Sequence, residues 1–79
     1  MAAKAFLLIE TVPGKSNGVV AAIIKELGEE RVKWVGVVTG PYDVIAVIEG
    51  ETLQEISELV TEKINHIAGI SRVVTCLAI

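Results

Sequence analysis

The chain has 79 residues and a mass of 8.4 kDa, room for one domain and no more. It is 52% hydrophobic with a net charge of -3, which excludes a disordered chain. Its single cysteine, Cys76, excludes an internal disulfide and any Cys-x-x-Cys metal or redox site.

Other classes fall away on the same grounds. Apolar runs such as Ala5–Ile9 and Val44–Ile48 are strand-sized, far below the ~18 residues of a membrane-spanning helix. The N-terminus lacks a basic segment followed by a long apolar stretch, so no secretory signal is expected and the cytoplasm is the expected compartment. The pI is near 5.0 and the seven basic residues are scattered from Lys4 to Arg72, which argues against direct contact with a nucleic-acid backbone.

The elements follow in order. Lys4–Glu10 is apolar with aromatic and branched content, a first strand. Thr11–Lys15 holds Pro13-Gly14, turn chemistry, and Ser16 is the expected N-cap of a helix. Val19, Val20, Ile23, Ile24 and Leu27 then fall on one helical stripe, closed by Gly28. Val32–Val38 is a second strand and Val44–Glu49 a third, joined by Thr39–Asp43, a hairpin-length connection containing Gly40-Pro41. Thr52-Leu53-Gln54-Glu55 reads as a capping box, with the hydroxyl serving the Glu55 amide and the glutamate reaching back to the Thr52 amide. It opens a second helix whose apolar positions are Leu53, Ile56, Leu59, Val60, Ile64 and Ile67, ending at Gly69. Ser71–Ile79 is the fourth strand. The order βαββαβ with right-handed crossovers gives a ferredoxin-like α+β sandwich: a four-stranded antiparallel sheet with two helices on one face, one domain over residues 1–79.

Side chains alternate along a strand. Ala5, Leu7 and Ile9 face one way, Phe6 and Leu8 the other; Val44, Ala46 and Ile48 oppose Ile45 and Val47. Both faces are apolar, whereas an antiparallel sheet with one wet face reads apolar-in, polar-out. Two helices cover one face. The other should meet a partner, and a second copy in a two-fold dimer is the simplest one.

The segment Val37-Val38-Thr39-Gly40-Pro41-Tyr42-Asp43-Val44-Ile45 resembles the V-x-T-G-x-Y-D-hydrophobic signature of the effector (RAM) domain of the Lrp/AsnC feast/famine regulators. Ala68-Gly69-Ile70-Ser71-Arg72-Val73-Val74-Thr75 resembles that family's Pro-Gly-Val-x-x-Thr-x-Thr entry to the last strand, with Ala68 in place of proline and Val73 in place of the first threonine. The order and spacing run through essentially the whole chain. Family regulators carry an N-terminal helix-turn-helix; here the sequence opens on the first strand, so the resemblance is to a stand-alone effector domain.

That resemblance implies sheet-to-sheet homodimers, further assembly into octameric or decameric rings, an amino acid effector bound between dimers, and co-assembly with full-length regulators. It implies a ligand site of Val37, Thr39, Gly40, Tyr42, Asp43, Thr75 and Cys76. A free amino acid brings an ammonium and a carboxylate, and burying it requires partners for both. Asp43 suits the ammonium, amides of the 39–43 turn the carboxylate, and the Tyr42 ring a pocket wall. Thr75 adds a hydroxyl, while Val37 and Cys76 shape the side-chain pocket. Each has a plainer reading: Asp43 as an acceptor for turn amides, Tyr42 and Trp34 as interface or core aromatics, Thr75 as a β-former, Cys76 as a small buried filler, His66 as a helix-end charge. No metal, no cofactor and no catalytic residues are expected. A ligand-free assembly adaptor is the first alternative. A small monooxygenase-like enzyme using Asn17, Trp34 and His66 is the second, and nothing in the spacing of those three brings them together.

Overall fold

Alternation along the strands sorts the apolar side chains into two sets, and only one is covered. In a computed structural model that describes residues 2–79, the elements run β1 (Ala3–Thr11), α1 (Ser16–Leu27), β2 (Val32–Val37), β3 (Val44–Gly50), α2 (Leu53–Leu59) continuing as a π-helical turn (Val60–Ile64), and β4 (Ile70–Leu77). The sheet is antiparallel with order β2-β3-β1-β4, the ferredoxin-like arrangement expected from the chain order.

The register fixes the faces. Leu7 pairs with Ala46 on β3 and Thr75 on β4; Ile9 pairs with Val44 and Val73. Ala5, Leu7, Ile9, Val44, Ala46 and Ile48 are all 0% exposed beneath the helices. Val19, Ile23 and Leu27 of α1 and Ile56, Val60 and Ile64 of the second helical segment close over them. Fully burying each large aliphatic side chain contributes ~1.5–3 kcal/mol, so this layer holds the fold together.

The opposite face presents Phe6 and Leu8 from β1, Ile45 and Val47 from β3, Val74 and Cys76 from β4, and Trp34 from the β2 edge. Phe6 is 41% and Trp34 52% exposed. The chain's surface, 4902 Å², exceeds the ~4,600 Å² expected of a folded monomer of this mass.

Several local expectations are revised. Ser16 is the first residue of α1, not its cap; the cap position is Lys15, and the Ser16 hydroxyl instead pairs with that of Thr11 at 2.8 Å. The Thr52 hydroxyl accepts from the Glu55 amide at 3.1 Å as the capping box requires, but the Glu55 carboxylate accepts from the Glu51 amide at 2.9 Å rather than from Thr52. The second helix widens after Leu59: the Asn65 amide donates to the Val60 carbonyl, a five-residue step. Val60 and Ile64, four residues apart, both remain on the buried face through this turn. Leu53, the first position of the predicted stripe, is 46% exposed.

Candidate functional site

The 38–43 connection is held by backbone at both ends. The Val38 amide donates to the Asp43 carbonyl and the Asp43 amide to the Ile9 carbonyl, each at 2.9 Å. Gly40 has φ +136, a conformation closed to side chains, and nothing lies within 4 Å of where its Cβ would be. The loop therefore rests on the end of the sheet at Asp43 and opens to solvent at Thr39-Gly40-Pro41.

Asp43 does structural work. In an antiparallel ladder, residues two apart present their backbone groups to the same neighbour. Ile9 reaches Val44 and the Asp43 amide; Thr11 points the same way, but the chain has already turned into the loop. The Asp43 carboxylate supplies the missing acceptor, its Oδ2 taking the Thr11 amide at 2.8 Å. An unpaired part-buried amide is costly, so this bond ties the loop to the β1–α1 junction. Oδ1 makes no hydrogen bond to a described residue. No described side-chain nitrogen or oxygen is both buried and unpartnered, so Oδ1 is not sealed from solvent. The plainer reading of Asp43, an acceptor for a backbone amide, thus holds for one of its two oxygens.

The seven predicted site residues fall into two groups. Thr39, Gly40, Tyr42 and Asp43 lie in this loop, with Val37 beside them at the end of β2, on the helix side of the sheet and 51% exposed. Thr75 and Cys76 lie on β4 at the far edge. β2 and β4 are separated by three strand spacings, about 14 Å. Thr75 pairs with Leu7 and so faces the helices, while Cys76 pairs with Phe6 on the open face. The two groups thus occupy different parts of the sheet, and no hydrogen bond joins them among the described residues. Cys76 is exposed rather than the buried filler that its residue type suggests. Trp34 lies on the open face with its ring over Gly36, where an added Cβ would stand 2.8 Å from the indole. His66 is exposed just beyond the π-helical turn.

Sequence reasoning missed Thr11, Ile9 and Ser16. By its sequence position Thr11 is only the start of a turn, and nothing in its local pattern links it to Asp43, 32 residues away.

Charge elsewhere is paired on the surface. Arg31 reaches the Glu55 carboxylate through Nε at 3.2 Å and Nη2 at 3.0 Å. The Glu51 amide and, after it, Arg31 hold the Glu55 carboxyl below the usual carboxylate range. On the open face Glu49 sits 3.9 Å from both Lys4 and Lys33 at one end, and Arg72 lies 3.4 Å from Glu10 at the other. Among the described residues no cluster of His, Cys, Asp and Glu could hold a metal ion, and no helix is long and apolar enough to cross a membrane.

Comparison with known proteins is consistent with this layout. FFRP-DM1 superposes with a TM-score of 0.83 at 36% identity, covering 98% of this chain and 99% of that one. The hypothetical protein PHS023 from Pyrococcus horikoshii gives 0.83 at 37% identity over 100% and 90%. The transcriptional regulator NMB0573 from Neisseria meningitidis, solved as a complex with L-Met, shares the fold with a TM-score of 0.80 at 14% identity, this chain spanning 49% of its length. A comparison with curated proteins finds no match. Residues 4–79 match the model of the Lrp/AsnC ligand-binding domain, and the chain belongs to that family.

Proposed function

We propose that this chain senses a free amino acid and couples its binding to the association of its own copies. The observation that carries the reading is the match of residues 4–79 to a ligand-binding domain family. The loop at Thr39–Asp43 fits it chemically, offering a carboxylate oxygen beside solvent-open backbone. The L-Met complex of the distant Neisseria regulator supports the ligand class, since every amino acid shares that ammonium and carboxylate. The apolar open face, framed by ion pairs, supports a sheet-to-sheet dimer, and the separation of the loop from Thr75 and Cys76 supports a site completed by another copy. Rings of such dimers, co-assembly with full-length regulators and a cytoplasmic setting belong to the same reading. Binding rather than catalysis suits the chain: His66 in the helical layer, Cys76 on the open face and Asp43 at the sheet end form no acid–base or nucleophile pair.

A thermal melt against each of the twenty amino acids tests this. A ligand at a hundred times its Kd adds ~2.7 kcal/mol per site, a shift of several degrees for a domain of this size. Asp43→Asn is the matching control. It keeps an acceptor for the Thr11 amide and removes the charge that meets an ammonium, so the fold should survive and the shift should vanish. A full shift in that variant refutes the role given to Asp43. No shift with any amino acid favours a ligand-free assembly adaptor resting on the open face alone.

A further inference from the structure

We propose that the groove between α1 and the second helical segment binds a small organic anion with a phosphate head, at a site separate from the Thr39–Asp43 loop. The site goes beyond amino acid sensing and uses none of that loop's residues.

The distribution of cations points there. The chain has seven lysines and arginines. Lys4, Arg31, Lys33 and Arg72 each lie within ion-pair distance of a carboxylate. The other three, Lys15, Lys25 and Lys63, make no ion pair with a described residue. All three line one groove of about 420 Å³, and so does His66, the only histidine of the chain. The helical layer is acidic as a whole, yet this groove sets three lysines against two glutamates, Glu26 and Glu62, in a molecule of net charge -3.

The charges are also divided along the groove. β1 and β3 are antiparallel, so the helices that follow them run in opposite directions. The start of α1, with Lys15, therefore lies beside the end of the second segment, with His66. Lys25 and Glu26 belong to the last turn of α1, and Glu62 and Lys63 lie between, in the π-helical turn. The Lys15 end is thus lined by cations without a carboxylate. Lys15 is anchored at its base: Gly69 has φ +96, and a Cβ there would stand 2.9 Å from the Lys15 Cβ. The floor is small and apolar, with Gly18 and Ala22 on α1 and the buried Ile67.

This volume falls in the ~300–1,000 Å³ range of small-molecule sites, more than a bare phosphate fills. A phosphate dianion suits the lysine end, since each ammonium is a point charge that forms charge-assisted hydrogen bonds to its oxygens. The organic body lies on Ala22 and Ile67, and its hydroxyl groups meet Glu26 and Glu62, which accept hydrogen bonds.

The first probe is inorganic phosphate, exchanged for chloride at constant ionic strength and followed by amide chemical shifts. Saturable shifts centred on residues 15–18 and 62–68 are expected. Lys15→Gln combined with Lys63→Gln should weaken phosphate at least ~5-fold. Lys4→Gln combined with Lys33→Gln removes equal charge from the Glu49 ion pairs and should change affinity less than ~2-fold. Ribose 5-phosphate, the second probe, should bind more tightly than phosphate. Shifts that do not saturate, or an equal loss in both double variants, overturn the proposal, because diffuse attraction between charges produces them. Equal or weaker binding of ribose 5-phosphate overturns the organic class of ligand. Asp43→Asn should leave phosphate affinity unchanged; a loss there overturns the separation from the loop. A melt screen in which no amino acid binds leaves this test intact, so the two readings fail independently.

Discussion

The two faces of the sheet are built from the same kinds of residue and end in opposite situations. Leu7 and Phe6 are neighbours in sequence, yet Leu7 is 0% exposed under the helices and Phe6 41% exposed on the open side. The helical layer that covers the first face is acidic on its outside, with Glu51, Glu55, Glu58 and Glu62 around the second helix and Glu26, Glu29 and Glu30 at the end of the first. The open face keeps its charges paired at its two ends and leaves an apolar middle. Burial thus divides one composition into a core and an exposed apolar face.

Substitutions on either side of β1 break this comparison most directly. Leu7→Ala should cost ~2–5 kcal/mol by leaving a cavity under the helices, read as a lower denaturant midpoint at unchanged slope. Phe6→Glu creates no cavity in the helix-covered core; it should instead abolish association, so that light scattering gives the mass of one chain and the melting temperature loses its dependence on protein concentration. If Phe6→Glu leaves a wild-type oligomer, the open face is not the contact.

The helical layer should respond more modestly. Thr52→Ala removes the acceptor for the Glu55 amide and should cost ~1 kcal/mol in chemical denaturation. The native Glu55 carboxyl titrates below its unfolded value, so its stabilisation is present above the ordinary carboxylate range. It is lost as pH falls through the lowered native value. Glu55→Gln should therefore flatten the acid limb of the stability profile, and an acid limb identical to wild type would remove Glu55 from the account. The smallest effect belongs to Gly36→Ala, where the new methyl pushes the Trp34 ring aside. Monomer stability should hardly change, while the emission of this single tryptophan shifts as its contact with the sheet is altered.

Much of this was legible in the chain itself. The alternation in β1 and β3 sorted the side chains into two faces residue by residue, because a strand leaves each side chain only two options, while both faces being apolar left open which one the helices cover. The Thr39–Asp43 connection was legible because glycine and proline punctuate it, and Gly40 does adopt a backbone that only glycine tolerates readily. What failed were contacts between residues distant in sequence or competing for one group. Ser16 had the chemistry of a cap, but the Thr11 hydroxyl lies closer to hand once β1 and α1 are folded. Glu55 had the spacing of a capping box, but the Glu51 amide and the Arg31 side chain take its carboxylate. The candidate site divides in the same way: its loop half is one continuous stretch, while Thr75 and Cys76 share a family pattern with it and not, within one chain, a place.

The sequence by itself determined the order of elements, the sides of the strands and the excess of apolar surface, because these follow from periodicity and composition, which are local. Only the tertiary structure decided which of the two strand faces the helices cover, that Asp43 gives a carboxylate oxygen to the Thr11 amide, and that Thr75 and Cys76 stand on the opposite edge of the sheet from Val37. Those depend on which strands become neighbours, and a linear pattern does not carry the distances across a sheet.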